Sequence, residues 1–367
     1  MSVEILGFDH VSFWTRNATQ AASYFICRAG FSPIAYSGLE TGSRKYCSYV
    51  VQNGGVIFVF TSTFDAHETN FHNFVQSHGD AVKDVAFRVA DCKKAFEHCV
   101  IQGAKIIKEP QILQDEYGLV ITATIEAPFG GIWHTFVERR QYTGKFLPGF
   151  KQLHEDPYIQ ALPQPNFVRI DHCVCNQGEN GVEKVVSWYE SVLGFHRFWA
   201  ADDRVIHTEY TGLSTVVIAD ANEVIKMPIT QPSKGKGKSQ VQEFVEYSGG
   251  PGIQHVALLS KDIIRDVSAW RKRGLTFIET PTNYYKQTKE KVGSKVKVDW
   301  TLLERLGILL DWNEEGYLLQ ILSNPVQDRP TFFLEAIERH NHEGFGAGNF
   351  RNLFEGVEKA QANRGNL

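Results

Sequence analysis

The chain has 367 residues with 43% hydrophobic and 22% charged content, which is long enough for two or more domains and typical of an ordinary globular protein. Its formal net charge of −4 is spread along the sequence and excludes a large basic surface for nucleic acid and an acidic tail. No signal peptide or apolar run of membrane-spanning length is apparent, and the six cysteines form neither a CxxC pair nor a disulfide framework, so we expect reduced thiols and a cytosolic location.

The chain contains an internal repeat, and the predicted elements follow this repeat in order. The first half opens with FDHVSFWTRN, an apolar strand followed by an amphipathic helix that Asn17 caps and Gly30 ends. The second half opens in the same way with IDHCVCNQ. Each of the two strands carries an Asp-His pair, and the histidines are His10 and His172.

A second pair of matching segments follows, one in each half. The first begins at Asp84 with DVAFRVADCKKAFEHC, and the second begins at His255 with HVALLSKDIIRDVSAW. Both run from a strand into a helix and end at a proline, Pro110 and Pro281 respectively. The repeat therefore predicts four modules of strand, helix and several strands (βαβββ), two in each half. Such modules favour an α+β fold in which curved mixed sheets surround a cavity.

The predicted boundary between the halves is a segment rich in turn-forming residues. Residues 142–166 contain four prolines and two glycines. We accordingly predict an N-terminal domain over residues 1–141, a linker over 142–166 and a C-terminal domain over 167–367. The N-terminal domain is expected to be structural and to lack a metal, because Asp84 stands where the second half has His255. A hard cation held by His10, Asp84 and Glu138 is the weaker alternative.

Two histidines and a late glutamate form the candidate metal site. His172 and His255 lie in the first strands of two sister modules, which we expect to be neighbours at the centre of a sheet. Two imidazoles and one carboxylate on one face of a metal can hold Fe(II) and leave positions open for substrate and dioxygen. A single buried histidine is more often a hydrogen-bonded core residue. Strand alternation alone also leaves Glu335 and Glu338 as competing ligands, because they face opposite ways.

Several long segments resemble the 4-hydroxyphenylpyruvate dioxygenase family over essentially the whole chain. They include GLETGSR, FLPGF, KSQVQEFVEY, GIQHVAL, NPVQDRPTFFLE and RHNHEGFGAGNF. The resemblance implies the vicinal oxygen chelate fold, with two open-barrel domains and a C-terminal lid helix, and Fe(II) bound by His172, His255 and Glu335. It implies conversion of 4-hydroxyphenylpyruvate and O2 to homogentisate and CO2 in tyrosine and phenylalanine breakdown. A soluble, cytoplasmic homo-oligomer, most simply a dimer, is expected, with no nucleic-acid or membrane partner.

The resemblance also places residues around the substrate. Three amide side chains are expected to orient it without adding charge to the site, namely Gln240, Gln254 and Gln320. The sequence after residue 343 is predicted to be a glycine-rich hinge followed by an amphipathic helix that covers the metal. Its expected contacts with the substrate region come from Phe345, Asn349 and Phe350.

Three positions depart from the family pattern and bear on the product. Leu322 stands where the family usually has phenylalanine, Thr230 where it has asparagine and Thr215 where it has serine. Loss of one ring weakens the placement of the substrate ring by about 1 kcal/mol. A small shift of the ring moves hydroxylation from the ring towards the benzylic carbon. A 4-hydroxymandelate synthase is therefore the first alternative, and a non-catalytic protein that binds an aromatic acid is the second.

Overall fold

The computed structural model describes residues 3–153, 157–201, 207–208, 210–281 and 283–367, without the side chains of Tyr158, Gln160 and residues 350–354. In this part of the chain, two large mixed sheets carry helices on their faces. No helix in the described ranges is long and apolar enough to cross a membrane.

The N-terminal half consists of two βαβββ modules that share one nine-stranded sheet. The first module contains β1 (Ile5–Trp14), α1 (Ala18–Cys27), β2 (Ser32–Ser37), β3 (Tyr46–Asn53) and β4 (Val56–Thr63). After α2 (Thr69–His78), the second contains β5 (Ala81–Val89), α3 (Cys92–Ile101), β6 (Ile106–Asp115), β7 (Gly118–Glu126) and β8 (Trp133–Arg139). A short strand β9 (Lys151–Gln152) and the four-residue helix α4 (Pro157–Gln160) lead to the second half. The strand order is β6-β7-β8-β5-β1-β4-β3-β2-β9.

The C-terminal half repeats this plan in an eight-stranded sheet. Its first module contains β10 (Phe167–Asn176), α5 (Val182–Trp188), β11 (His196–Ala201), β12 (Gly212–Ala219) and β13 (Lys226–Ser233), followed by α6 (Gln240–Tyr247). The second contains β14 (Gly252–Ser260), α7 (Ile263–Lys272), α8 (Asn283–Val292), α9 (Trp300–Leu306), β15 (Leu309–Trp312), β16 (Tyr317–Leu322) and β17 (Phe333–His340). The last helix is α10 (Phe350–Asn363). The strand order is β11-β12-β13-β10-β14-β17-β16-β15, and the α+β architecture with four βαβββ modules is confirmed.

The first strands of sister modules lie side by side at the centre of each sheet, as the repeat predicts. Strand β10 pairs antiparallel with β14, and Val174 stands opposite His255. Strand β14 pairs in parallel with β17, and Ala257 stands opposite Glu335. The sheet register therefore brings His172, His255 and Glu335 onto three adjacent strands.

Alternation along β10 separates a cavity face from a core face. His172 and Val174 line a cavity, whereas Cys173 and Cys175 are fully buried in the main hydrophobic core. Alternation thus separates the two faces of β10, and the packing of Cys173 and Cys175 in the core leaves His172 and Val174 towards the cavity.

A side chain caps the helix after the first strand in three of the four modules, namely Asn17, Asp91 and Asp262, and the Asn17 side chain accepts a hydrogen bond from the Gln20 backbone N–H as predicted. Helix α5 instead follows Gly181, which has no side-chain cap.

Two features depart from the plain repeat. Helices α8 and α9 are inserted between α7 and β15, where the sister modules pass directly into a strand. The segment after Tyr142 also packs on the N-terminal sheet, because Phe146 is buried against Ala35, Val50 and Val59 and β9 pairs with β2.

The β3–β4 hairpin contacts the start of β10 and joins the two halves. The Asn53 side chain accepts a hydrogen bond from the Phe167 N–H at 2.8 Å and donates one to the Pro165 carbonyl at 2.9 Å. The neighbouring Gly54 has a φ of +55°, and a Cβ added there would lie 1.7 Å from the Phe167 carbonyl oxygen. Only glycine fits this turn, because the close partner is backbone rather than a movable side chain.

Candidate active site

Three potential metal ligands converge from the central strands of the C-terminal sheet. Glu335 Oε2 lies 3.4 Å from Nε2 of His172 and 3.3 Å from Nε2 of His255. One donor atom from each residue lies within 4.8 Å of the other two, and within the described ranges this is the one such group of three or more side chains. Two imidazoles and one carboxylate at this spacing match the donor set of a mononuclear metal centre with open positions.

Hydrogen bonds on the far side of each ring orient the two histidines. His172 Nδ1 lies 2.7 Å from Asp171 Oδ2, and His255 Nδ1 lies 3.2 Å from the side-chain oxygen of Gln254. Because both partners are acceptors, each ring places its proton on Nδ1 and directs the lone pair of Nε2 into the cluster. The arrangement therefore prepares both rings for a cation.

The electrostatics of the cluster agree with this donor set. Burial alone raises the pKa of Glu335, but hydrogen bonds and positive charge from His172 and His255, when protons occupy their Nε2 atoms in place of a metal, lower it to about 2. Burial lowers the pKa of His255, and Glu335 only partly offsets this effect. Burial has the same effect on His172, but Asp171 and Glu335 outweigh it, so the pKa of His172 is raised. An ionised carboxylate beside two imidazoles favours a positive charge at their centre.

The cluster forms part of the wall of a cavity of about 640 Å³. This volume includes space that is open to solvent, and small-molecule sites in proteins are typically concave cavities of this mostly apolar kind. The rest of the wall is mainly apolar and includes Val174, Trp199, Leu213, Val217, Pro228, Val241, Leu322, Phe333 and Phe345. Such a lining excludes water from the space beside the three potential ligands.

The polar groups of the cavity are neutral amides and hydroxyls. Gln240, Gln254 and Gln320 all line it. The amide of Gln254 lies 3.5 Å from the side-chain oxygen of Gln240, whereas the side-chain oxygen of Gln320 is buried with no hydrogen-bond partner among the described residues. A buried acceptor left without a donor costs about 1–3 kcal/mol, so a ligand that supplies the donor gains from binding there.

The two predicted threonines form a pair in the same wall. Thr215 and Thr230 stand opposite each other on β12 and β13, and the Thr230 hydroxyl donates to the Thr215 hydroxyl at 3.1 Å. The Thr215 proton is therefore free to point towards a ligand.

Comparisons with known proteins find relatives along the full length of the chain. Residues 2–139 match the family described as the N-terminal part of hydroxyphenylpyruvate dioxygenase, and residues 169–293 match the glyoxalase, bleomycin resistance protein and dioxygenase superfamily. A 4-hydroxyphenylpyruvate dioxygenase of Dictyostelium discoideum is 47% identical, and the alignment covers 98% of this chain and 100% of that protein. One from Aspergillus fumigatus is 48% identical, with 98% and 94% covered. The chain belongs to the 4-hydroxyphenylpyruvate dioxygenase family.

A solved structure supports the fold of this dioxygenase family for the chain. A triple mutant of 4-hydroxymandelate synthase from Streptomyces coelicolor superposes with a TM-score of 0.84 at 25% sequence identity. The superposition covers 98% of this chain and 100% of the synthase. The vicinal oxygen chelate fold expected from the sequence is therefore confirmed.

Two residues that the family resemblance places near the substrate lie at the start of α10. Asn349 is buried, its side-chain oxygen lies 2.8 Å from the Tyr284 hydroxyl, and its amide nitrogen has no partner among the described residues. It does not line the cavity. The side chain of Phe350 lies outside the described residues. The roles of both residues remain predictions.

Asp171 and Arg339 support the cluster from behind, and neither was predicted from the sequence. Arg339 donates to both carboxylate oxygens of Asp171, at 3.0 and 2.8 Å, and Asp171 in turn holds His172. A signal for Asp171 was present, because the Asp-His pair recurs in the first strand of each half. A signal for Arg339 was present as well, because a Glu-Arg pair recurs late in the last strand of each half, as Glu138-Arg139 and Glu338-Arg339.

The alternative cation site in the N-terminal half has separate partners for its side chains. Asp84 accepts hydrogen bonds from the backbone and the hydroxyl of Thr135, which stands where β17 has Glu335. Glu138 instead accepts from the Cys92 N–H at the start of α3, at 2.9 Å. In the described part of the chain these groups do not converge with His10 as the C-terminal cluster does.

The C-terminal end of α10 is fixed to α6 by a buried acidic residue. Glu243 is 3% exposed and accepts hydrogen bonds from Arg364 at 2.8 and 2.9 Å and from Asn366 at 2.9 Å. A second cavity, of about 430 Å³, lies between these elements, and Gln240 and Gln254 line both cavities. The position of α10 is therefore coupled to two amides of the substrate cavity.

Glu243→Gln is expected to lower the free energy of unfolding by about 2 kcal/mol and to raise KM, because it leaves Arg364 without its carboxylate and frees α10 from α6. Urea unfolding and steady-state kinetics measure the two effects. The matched control is Glu246→Gln in the same helix, where the ion pair with Lys238 is partly exposed and contributes at most about 1 kcal/mol. Equal effects of the two substitutions would contradict the assigned role of Glu243.

Proposed function

We propose that this chain is an Fe(II)-dependent 4-hydroxyphenylpyruvate dioxygenase, which converts 4-hydroxyphenylpyruvate and O2 to homogentisate and CO2 in tyrosine and phenylalanine breakdown. The observation that carries the proposal is the His172, His255 and Glu335 cluster in the wall of a largely apolar cavity. Relatives with this activity in their names are 44–48% identical along nearly the whole chain. A small aromatic 2-oxo acid and O2 are the reactants that such a site serves.

The metal would be held by His172, His255 and Glu335. Their donor set fits Fe(II), because two neutral imidazoles and a carboxylate occupy one side of the ion and leave the side towards the cavity open. A bound Fe(II) supplies the electron transfer that O2 activation needs and the positive charge that binds a 2-oxo acid. Asp171 and Gln254 keep the Nδ1 protons in place, so Nε2 of each ring is ready to bind.

The cavity residues would position the substrate. In its keto form the substrate has one O–H donor, the phenol, and the unpartnered side-chain oxygen of Gln320 is an acceptor for it. Gln240 and Gln254 are neutral, so they hold polar atoms without competing with the charge of the metal. Phe333, Phe345 and the aliphatic wall enclose the ring and keep water away from the reacting atoms.

The choice of product depends on how tightly the wall holds the ring. Leu322 lines the cavity and stands opposite Glu335 in the sheet register. This placement near the cluster is the observation that favours 4-hydroxymandelate as the alternative product. The relatives named dioxygenase, at up to 48% identity, favour homogentisate over the product of the synthase, at 25%.

Product analysis tests the proposed function. Purified protein with Fe(II), ascorbate and 4-hydroxyphenylpyruvate is expected to consume O2 and to release homogentisate. Chelation should stop the reaction, and Fe(II) but not Zn(II) should restore it, because Zn(II) cannot change its oxidation state. Hydroxymandelate as the main product would identify a synthase. Substrate binding without O2 uptake in the presence of iron would identify a non-catalytic binding protein.

The assembly and location belong to the proposal as well. We infer a homodimer from the family resemblance and a cytoplasmic location from six cysteines that are all free thiols. Light scattering on the purified protein tests the dimer, and fractionation of cells tests the location.

A further inference from the structure

We propose that Arg339 is a positioning residue that couples the metal ligand His172 to the aromatic wall of the substrate cavity. The inference rests on the proposed function, because it assigns a role in binding the metal and the substrate of that site. It concerns a cation whose side chain is 10% exposed, which lies behind the cluster and does not line the cavity.

Arg339 fixes His172 through Asp171. The guanidinium donates from Nε and Nη2 to the two carboxylate oxygens of Asp171 at 3.0 and 2.8 Å, a bidentate pair that sets the plane of the carboxylate. Asp171 Oδ2 then accepts the proton of His172 Nδ1 at 2.7 Å. The ring of His172 cannot rotate or change tautomer without breaking this chain of hydrogen bonds.

The third nitrogen of the same guanidinium holds the loop that carries Phe345. Nη1 of Arg339 donates to the carbonyls of His342 and Gly344, at 2.9 and 2.6 Å. The Phe345 ring lies edge-on to His172, with centroids 5.1 Å apart, and 5.4 Å from the guanidinium. Phe345 also lines the substrate cavity. One side chain therefore holds both the ligand and the wall beside it.

The N-terminal half contains a twin of this network without the metal cluster. Arg139 donates to both oxygens of Asp9 at 2.7 and 2.8 Å and to the Phe146 carbonyl, and Asp9 lies 2.8 Å from His10 Nδ1. The rings of His10 and Phe146 are 5.0 Å apart and edge-on, as in the C-terminal half. In this half, Asp84 and Thr135 stand where the C-terminal half has the other two ligands.

The twin separates the structural effect of the network from its functional effect. Both networks stabilise the fold, because each satisfies a buried Asp, a His and loop carbonyls. Among the described residues, only the C-terminal network connects to a convergent donor set and to a ring that lines the substrate cavity. A substitution of Arg139 therefore reports the stability cost of losing such an arginine, less the part that Arg88, with Nε 3.4 Å from Asp9, still supplies.

The test compares Arg339→Gln, Arg339→Lys and Asp171→Asn with the control Arg139→Gln. Co(II) binding to the metal-free proteins is followed by visible absorption, and kcat and KM are measured with Fe(II). Asp171→Asn and Arg339→Gln should lower Co(II) affinity by about 10- to 100-fold. Arg339→Lys should keep Co(II) affinity near wild type but raise KM about tenfold, because one ammonium group pairs with Asp171 and cannot also hold both carbonyls. Arg139→Gln should reduce thermal stability while leaving Co(II) affinity and KM unchanged.

The proposal is overturned if Arg339→Gln or Asp171→Asn, once folded, binds Co(II) with wild-type affinity, or if Arg139→Gln weakens binding as much as Arg339→Gln does. Should Arg339→Gln fail to fold, the near-isosteric Asp171→Asn is judged by its Co(II) affinity, and Arg339→Lys is judged by its KM, since a wild-type KM in that variant would also overturn the proposal. Wild-type protein that binds Co(II) but makes no homogentisate would contradict the proposed function alone, since the affinity comparison needs no turnover.

Discussion

Replacing His172 with alanine is expected to abolish tight metal binding and to lower the rate of homogentisate formation by at least about 10³-fold. The reason is geometric, because His255 and Glu335 alone leave a two-ligand site whose third position is open to solvent or to a wrong donor. The fold should persist, since β10 is held by pairing with β13 and β14 on either side. Metal content after dialysis, circular dichroism and the rate of product formation measure the three expectations.

His10→Ala is the matched control for this variant. His10 has equivalent neighbours, because Asp9 lies 2.8 Å from its Nδ1 and the ring of Phe146 lies edge-on to it. It belongs to the N-terminal half, however, whose described residues hold no convergent ligands. We expect it to lose stability and to keep metal content and activity per folded molecule. A folded His172→Ala protein with activity within tenfold of wild type would contradict the assignment of the metal site. A folded His10→Ala protein without metal would contradict it as well.

Gly54→Ala is expected to lower the free energy of unfolding by about 3 kcal/mol or more. The added Cβ would meet the Phe167 carbonyl oxygen at 1.7 Å and its carbon at 2.9 Å, while the backbone already has a φ of +55°. Both close atoms belong to the backbone of β10, so relief requires the hairpin and that strand to move apart. Because β10 also carries His172, we expect activity to fall together with stability.

The control for this substitution is Gly293→Ala. Gly293 has nearly the same backbone angle, a φ of +58°, but no atom within 4 Å of an added Cβ. The substitution Gly293→Ala should therefore lower the free energy of unfolding by about 1 kcal/mol, which is the conformational penalty alone. Urea unfolding of both variants, followed by circular dichroism, compares the two. Equal losses of stability would show that contact between the hairpin and β10 contributes nothing.

The internal repeat made the sheet topology predictable. The two Asp-His strands and the two later strands are each apolar and each followed by a helix, so four equivalent modules and two central strand pairs follow from the pattern. Helices α8 and α9 were not predicted, because residues 283–306 have no counterpart in the sister modules. Their buried residues, among them Tyr284 and Tyr285, belong to the main hydrophobic core.

The metal cluster was only partly predictable from the residues. Strand alternation places Glu335 and Glu338 on opposite faces but does not say which face meets the cavity, and the family resemblance made that choice. In the structure Glu335 lies in the cluster, and Glu338 accepts a hydrogen bond from the Ile263 N–H at the start of α7. The decision depends on where α7 packs, which is a tertiary contact that local periodicity does not encode.

The supporting network behind the cluster was only partly predictable for a similar reason, because the repeated Asp-His and Glu-Arg pairs mark its residues but not the contact between them. Arg339 and Asp171 are 168 residues apart, and an arginine at the end of a strand is usually solvated. The linker shows the same limit, since its prolines and glycines indicate turns but not that Phe146 is buried in the N-terminal sheet. These contacts join residues that are distant in sequence and could not be predicted. The four modules and the two faces of each strand, in contrast, followed from the repeat and from alternation.

Anomalous diffraction at the iron edge, from crystals grown anaerobically with Fe(II), tests the central claim most directly. We expect one iron peak per chain between the Nε2 atoms of His172 and His255 and a carboxylate oxygen of Glu335, with its open side towards the cavity that Gln320 and Phe345 line. Iron bound elsewhere, or no ordered iron at these three side chains in a catalytically active sample, would contradict it.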